Sequence, residues 1–149
     1  MIIIRIWHQK LIPYLDRQRL LGQHRECCAL RGAGWGRPHA TVNYVFTQTV
    51  NKLIAYHFLI MNEMKRRGYN PNEIWYDVNW RGSSIGDWGG WGSQRVIGMY
   101  VIKANTFNFM IYHEHNDEYL KECINLLKEK NAPIDFKKVE EELLNGNNL

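Results

Sequence analysis

A glutamate set among cations on one helix face, close in sequence to a basic amino terminus, is the combination in this chain best suited to covalent chemistry. In the run Gln23-His24-Arg25-Glu26 the carboxylate of Glu26 follows Arg25 directly, and Arg5 stands near the start of the chain. A terminal α-amine has a pKa near ~8, so part of it is neutral at physiological pH and can attack an electrophilic carbon. A nearby glutamate can carry the protons that imine formation and breakdown require. Arg19, Gln23 and Glu26 fall at i, i+4 and i+7, so a helix presents them on one face, bordered by Gly22 and Arg25. Such a face suits chemistry on a polyanion.

The elements that position these groups follow from caps and periodicity. Asp16 can cap a helix whose apolar stripe is Leu20, Leu21, His24, Cys27 and Cys28, with Gly32 as its stop, which predicts a helix over 16–30. Residues 31–39 hold Gly32, Gly34, Gly36 and Pro38, so a loop follows, with backbone amides available to phosphates beside Arg31, Trp35, Arg37 and His39. A second, longest helix starts at Gln48 or Thr49 and carries Leu53, Tyr56, Phe58, Leu59, Ile60 and Met64. It ends on Lys65-Arg66-Arg67-Gly68, with cations in the last turn and glycine as the stop. Residues 69–94 read as a long Gly/Trp-rich loop containing Pro71, Trp75, Trp80, Trp88 and Trp91. Residues 95–110 are apolar and partly β-branched without clean periodicity, so strand and helix remain open there. Asn116 and Asp117 begin a third helix running to about Lys130, and Asp135 caps a short acidic fourth that stops near Gly146.

Composition bounds the class. A chain of 149 residues with 45% hydrophobic content suits one globular domain over 1–149. Residues 1–75 carry 11 Lys and Arg against 4 Asp and Glu, whereas residues 76–149 carry 8 against 11, so the basic amino-terminal half is the phosphate-facing candidate. Three cysteines, two of them the adjacent Cys27 and Cys28, make no even disulfide framework. No secretory signal or apolar run of about 18 residues is visible, and Met1-Ile2-Ile3-Ile4 is broken by Arg5, so it reads as a short strand or anchoring segment. A cytoplasmic protein without a membrane span is expected.

Several of these residues also have plain structural readings. Arg25 and Glu26 can be a solvated helix pair, His24 a satisfied core histidine, and Lys65-Arg66-Arg67 a charged helix end. Tyr44, Tyr56 and Phe58 suit a core, while Trp35, framed by glycines, suits stacking or a wedge. His113-Glu114-His115, with Cys123 eight residues on, raises a metal-dependent nuclease as a rival, although the spacing matches no paired zinc arrangement. A third reading is a DNA-binding module without catalysis.

Arg5-Ile6, then Gln23-His24-Arg25-Glu26, then His39-Ala40-Thr41 with Tyr44, then the long helix ending Met64-Lys65-Arg66-Arg67-Gly68-Tyr69, together resemble the pyrimidine-dimer DNA glycosylase family of the phage endonuclease V type. The order and approximate spacing agree over residues 5–70. The runs Leu20 to Glu26, Gly34 to Phe46 and His115 to Cys123 are similar to its bacterial branch. The resemblance implies a mainly α, compact single-domain helical fold that grips damaged double-stranded DNA and displaces a base from the stack. It implies a glycosylase with AP lyase activity, in which an α-amine attacks C1′ and the base leaves through a Schiff base. In the carry-over Glu26 is the acid and base, and the amine is that of Met1, or of Ile4 if the mature chain starts there. Arg5 follows the nucleophilic position. Arg5, Arg19, Gln23, Arg25, Arg31, Trp35, Arg37 and His39 make up the expected DNA-binding set, with no metal, cofactor, membrane or obligatory protein partner.

The chain departs from the family pattern at three places. The nucleophilic position falls on the internal Ile4, and bulky Ile2 after Met1 disfavours methionine removal, which puts the free amine three residues upstream, up to roughly 10 Å along an extended chain. A helix arginine falls on Ala29, with Arg31 near. The aromatic, basic carboxy terminus is replaced by Glu140-Glu141-Glu142 and Asn147-Asn148.

Overall fold

The structure, a computed structural model, describes residues 6–32, 50–83, 91 and 96–144. A 3-10 helix, Gln9–Tyr14, leads into α1 (Arg17–Arg31) and then α2 (Val50–Arg66). A second 3-10 turn, Glu73–Tyr76, precedes α3 (Gly98–Phe107), α4 (Asp117–Glu129) and α5 (Phe136–Leu143). The fold is mainly helical, as expected.

The caps read from the sequence are made. Asp16 accepts the Arg19 N–H, Asn116 accepts that of Tyr119 and Asp135 that of Lys138, so each short polar side chain satisfies an amide that its helix leaves without a partner. Gly32 is the residue after α1, and Gly68, just past α2, adopts a φ of 91° that favours glycine.

Helix α2 is the central element. Leu53, Ile54, Ala55, Tyr56 and His57 are all buried, and five consecutive positions cover every side of a helix. It packs closely against α1 on one side and α3 on another, and the first 3-10 helix closes a third. The open stretch of the sequence becomes α3. Its Val101 and Ala104 are buried, while Asn105 donates its amide to the carbonyls of Ala55 and Val101 and ties it to α2. Met99, Ile102 and Phe107 stay exposed, so apolar residues occupy both faces and blur the helical period. Asn108 ends the helix with φ 52°, a conformation that asparagine tolerates.

Candidate active site

Helices α1 and α4 form the two walls of a cleft of about 680 Å³. The α1 wall presents Arg19, Gly22, Gln23, Arg25 and Glu26, so the face expected from the i, i+4, i+7 spacing borders one cavity. Glu26 is half-buried and Arg25 is exposed. The Arg25 guanidinium lies back over Gly22, where an added Cβ would come within 3.8 Å of its Nη2. Arg19 is partly engaged, 3.4 Å from the Asp16 carboxylate that caps the same helix. The α4 wall supplies Tyr119, Glu122, Cys123, Glu129 and Lys130 and is the more acidic of the two.

The chain segment leading into the first helix runs along this cleft, and its backbone is satisfied by side chains. Gln23 Oε1 accepts the Trp7 N–H at 2.7 Å, and the Tyr119 hydroxyl donates to the Ile6 carbonyl at 2.7 Å. The Tyr56 hydroxyl donates to the Trp7 carbonyl at 2.7 Å and lies 3.0 Å from Gln23 Oε1. Burial holds Tyr56 well above the usual tyrosine range, so it stays a neutral donor. Next along the chain, His8 Nδ1 accepts the Lys10 N–H, and the His8 ring stacks on His115 at 5.0 Å. Gln23, expected on the DNA, is 3% exposed and spends its oxygen on the backbone of Trp7.

Residues 4–77 match the model of the pyrimidine dimer DNA glycosylase family. That family's model covers the first 3-10 helix, α1, α2 and the Trp75 turn, so it takes in the α1 wall of the cleft and ends before α4. No curated protein and no solved structure matches the chain.

Within the segment matched by the glycosylase family, Arg31 departs from the expected DNA-binding set. Its side chain is fully buried, and the guanidinium donates to the carbonyls of Trp75 at 2.8 Å, Asp77 at 2.8 Å and Trp80 at 3.0 Å. It also lies 5.1 Å from the Trp75 ring centre and 3.0 Å from His57 Nδ1. Burial lowers its pKa to about 10, which leaves it charged at neutral pH. Arg31 therefore organises the turn after α2 and has no face toward a phosphate. The signal was present in the sequence, since position 31 continues the stripe of His24, Cys27 and Cys28.

Among the described residues, the His, Cys and acidic group close enough to share an ion is His24, Cys28 and His57. His24 Nδ1 lies 2.8 Å from His57 Nε2, and Cys28 Sγ 3.9 Å from both atoms. The Arg31 contact decides the chemistry. Arginine only donates, so His57 Nδ1 is an acceptor and the ring proton sits on Nε2, directed at His24 Nδ1. A metal on His57 Nε2 would displace that proton and require an imidazolate beside a guanidinium, whereas metal-bound histidines ordinarily donate their second N–H to an acceptor. Burial first, then Arg31 and His24, hold His57 well below the usual histidine range. The rival set is also dispersed, since His115 is buried and accepts the Gln9 N–H while His113 is exposed.

Met1, Ile4, Arg5, Trp35, Arg37, His39 and Tyr44 lie outside the described residues. So do Trp88 and the chain around Gly146. No helix among the described residues is long and apolar enough to cross a membrane.

Proposed function

We propose that this chain removes a damaged base from double-stranded DNA through a terminal α-amine and then nicks the backbone as an AP lyase. The amine lone pair forms a bond to C1′ as the glycosidic bond breaks, and the base leaves after taking up a proton. Ring opening gives an imine, loss of the C2′ proton follows, and the C3′–O bond breaks to expel the 3′ phosphate. Glu26 serves these proton transfers, and Arg25 holds a phosphate or sugar beside them.

One observation carries the reading. The half-buried Glu26 and the anchored backbone at Trp7 line the same cleft, so the chain enters the site a few residues downstream of Arg5. Extended backbone spans roughly 3.3–3.6 Å per residue, which gives an amine at Ile4 a reach of up to roughly 10 Å from Trp7 and one at Met1 up to roughly 20 Å. Contacts from Arg19 and Arg25, with Arg5, Trp35, Arg37 and His39 from the remainder of the expected set, make affinity fall steeply with salt if several phosphates are neutralised.

Borohydride reduction in the presence of abasic-site DNA tests the mechanism. The expected result is a covalent adduct that acetylation of the terminal amine abolishes. An adduct surviving acetylation assigns the chemistry to a lysine. Binding with no adduct leaves a DNA-binding module on the same scaffold.

A further inference from the structure

The 6–7 peptide unit is bonded at both of its ends, and to opposite walls of the cleft. Its carbonyl, from Ile6, accepts from Tyr119 on α4, and its N–H, from Trp7, is accepted by Gln23 on α1. The next carbonyl is taken by Tyr56 from α2. Among the described residues no strand pairs with this segment, so side chains satisfy backbone groups that would otherwise be buried without partners. Here three helices each commit a buried side chain to two residues of backbone, and Gln23 and Tyr119 also line the cleft that holds Glu26.

We infer that Gln23, Tyr56 and Tyr119 are positioning residues for the amine nucleophile, an inference that rests on the amine mechanism proposed above. They act through the backbone. With the 6–7 unit held in direction and height between α1 and α4, any amine upstream of it is tethered to an anchored point in the cleft that holds Glu26. A misplacement of about 1 Å in a reacting group can cost on the order of 100-fold in rate. An amine tethered in this way near the exposed Arg25 would have its neutral, nucleophilic form favoured by like-charge repulsion.

Gln23→Met and Tyr119→Phe each remove one anchor with little change of volume. The measurements are the single-turnover rate of borohydride trapping at saturating abasic-site DNA, its pH midpoint, DNA affinity and the urea midpoint of folding. Each variant is expected to trap at least about tenfold more slowly, to bind DNA within about twofold of the parent protein, and to show a trapping midpoint moved up toward the ~8 of a free amine. A merely structural role would lower affinity and rate together through the folded fraction and leave the pH midpoint in place. Parent-like trapping rate and midpoint in both variants would overturn the inference while leaving the amine mechanism standing. Absence of any adduct with the unsubstituted protein would overturn both.

Discussion

Arg31 and Arg81 grip each other's backbone neighbourhoods. The Arg31 guanidinium takes the carbonyls of Trp75, Asp77 and Trp80, and Arg81 returns across the same interface to the carbonyls of Arg31 at 3.0 Å and Gly32 at 3.3 Å. Arg81 thus closes the end of α1 with a cation where the helix dipole is negative. Arg31→Met should cost about 3–5 kcal/mol, because three part-buried carbonyls lose their donor at once. Arg31→Lys should recover little of it, since an ammonium cannot fork between them. Urea unfolding measures both; a loss under about 1 kcal/mol would return Arg31 to the surface and to the phosphate-binding set.

Two glycines of α1 and its cap should respond in opposite directions to alanine. At Gly32 a Cβ would stand 3.1 Å from the Arg81 carbonyl and 3.3 Å from that of Cys28, so Gly32→Ala should destabilise by about 1–3 kcal/mol through overpacking. At Gly22 the nearest atom would be Arg25 Nη2 at 3.8 Å, so Gly22→Ala should gain about 0.5–1 kcal/mol of helix stability. The added methyl points into the cleft. Stabilisation with weakened DNA binding is the expected signature, and unchanged affinity would place the DNA elsewhere.

Glu26→Gln should keep DNA affinity and remove strand cleavage, because the amide fills the same space and cannot relay a proton. Nicking at the parent rate by this variant rejects the role given to Glu26.

Acid should unfold the protein from the histidines first. Burial lowers His8 to about 4 and His115 to about 3, and it also holds His24 and His57 below their ordinary range. In the unfolded chain each returns to about 6.5. Below that pH the unfolded state takes up protons that the folded state refuses, so stability is full above about 7.5 and falls as pH drops through 6.5 toward 4. Each ring held neutral contributes a slope of about 1.4 kcal/mol per pH unit in that window. Urea midpoints flat between pH 7.5 and 5 would show that these rings protonate in the folded protein.

Zinc should not raise the melting temperature, and EDTA should leave both melting and strand cleavage unchanged. An ion held by His24, Cys28 and His57 would stabilise the folded state by mass action. A zinc-dependent rise lost on His57→Gln would mean that Arg31 yields its place on His57 Nδ1.

Four of the five described α-helices were legible because their ends carry chemistry: Asp16, Asn116 and Asp135 as caps, and Gly68 as a stop. Helix α3 was not, because Ile97, Met99, Ile102 and Phe107 leave apolar side chains in solvent and defeat the period. The 3-10 helix at Gln9–Tyr14 was missed as well, being short and containing Pro13. Of the site, the shared face of Arg19, Gln23 and Glu26 came directly from spacing. What spacing cannot give is the partner across the gap. Nothing near Gln23 in sequence announces Trp7, and nothing near Arg31 announces three carbonyls from 75–80. Such contacts are set by tertiary packing, and both turned expected surface ligands into interior supports.

Among the described residues, helices α1 and α4 are not one of the pairs that pack most closely, and one amide group beside the cleft is bonded to both. The gap between them is therefore spanned by a strap of backbone that both walls hold. Trimming the polypeptide beyond Trp7 would unlace that opening along with removing any nucleophile upstream of it. Loss of activity in such a truncation would report two lesions at once, and point substitutions at the strap's moorings are the cleaner instrument.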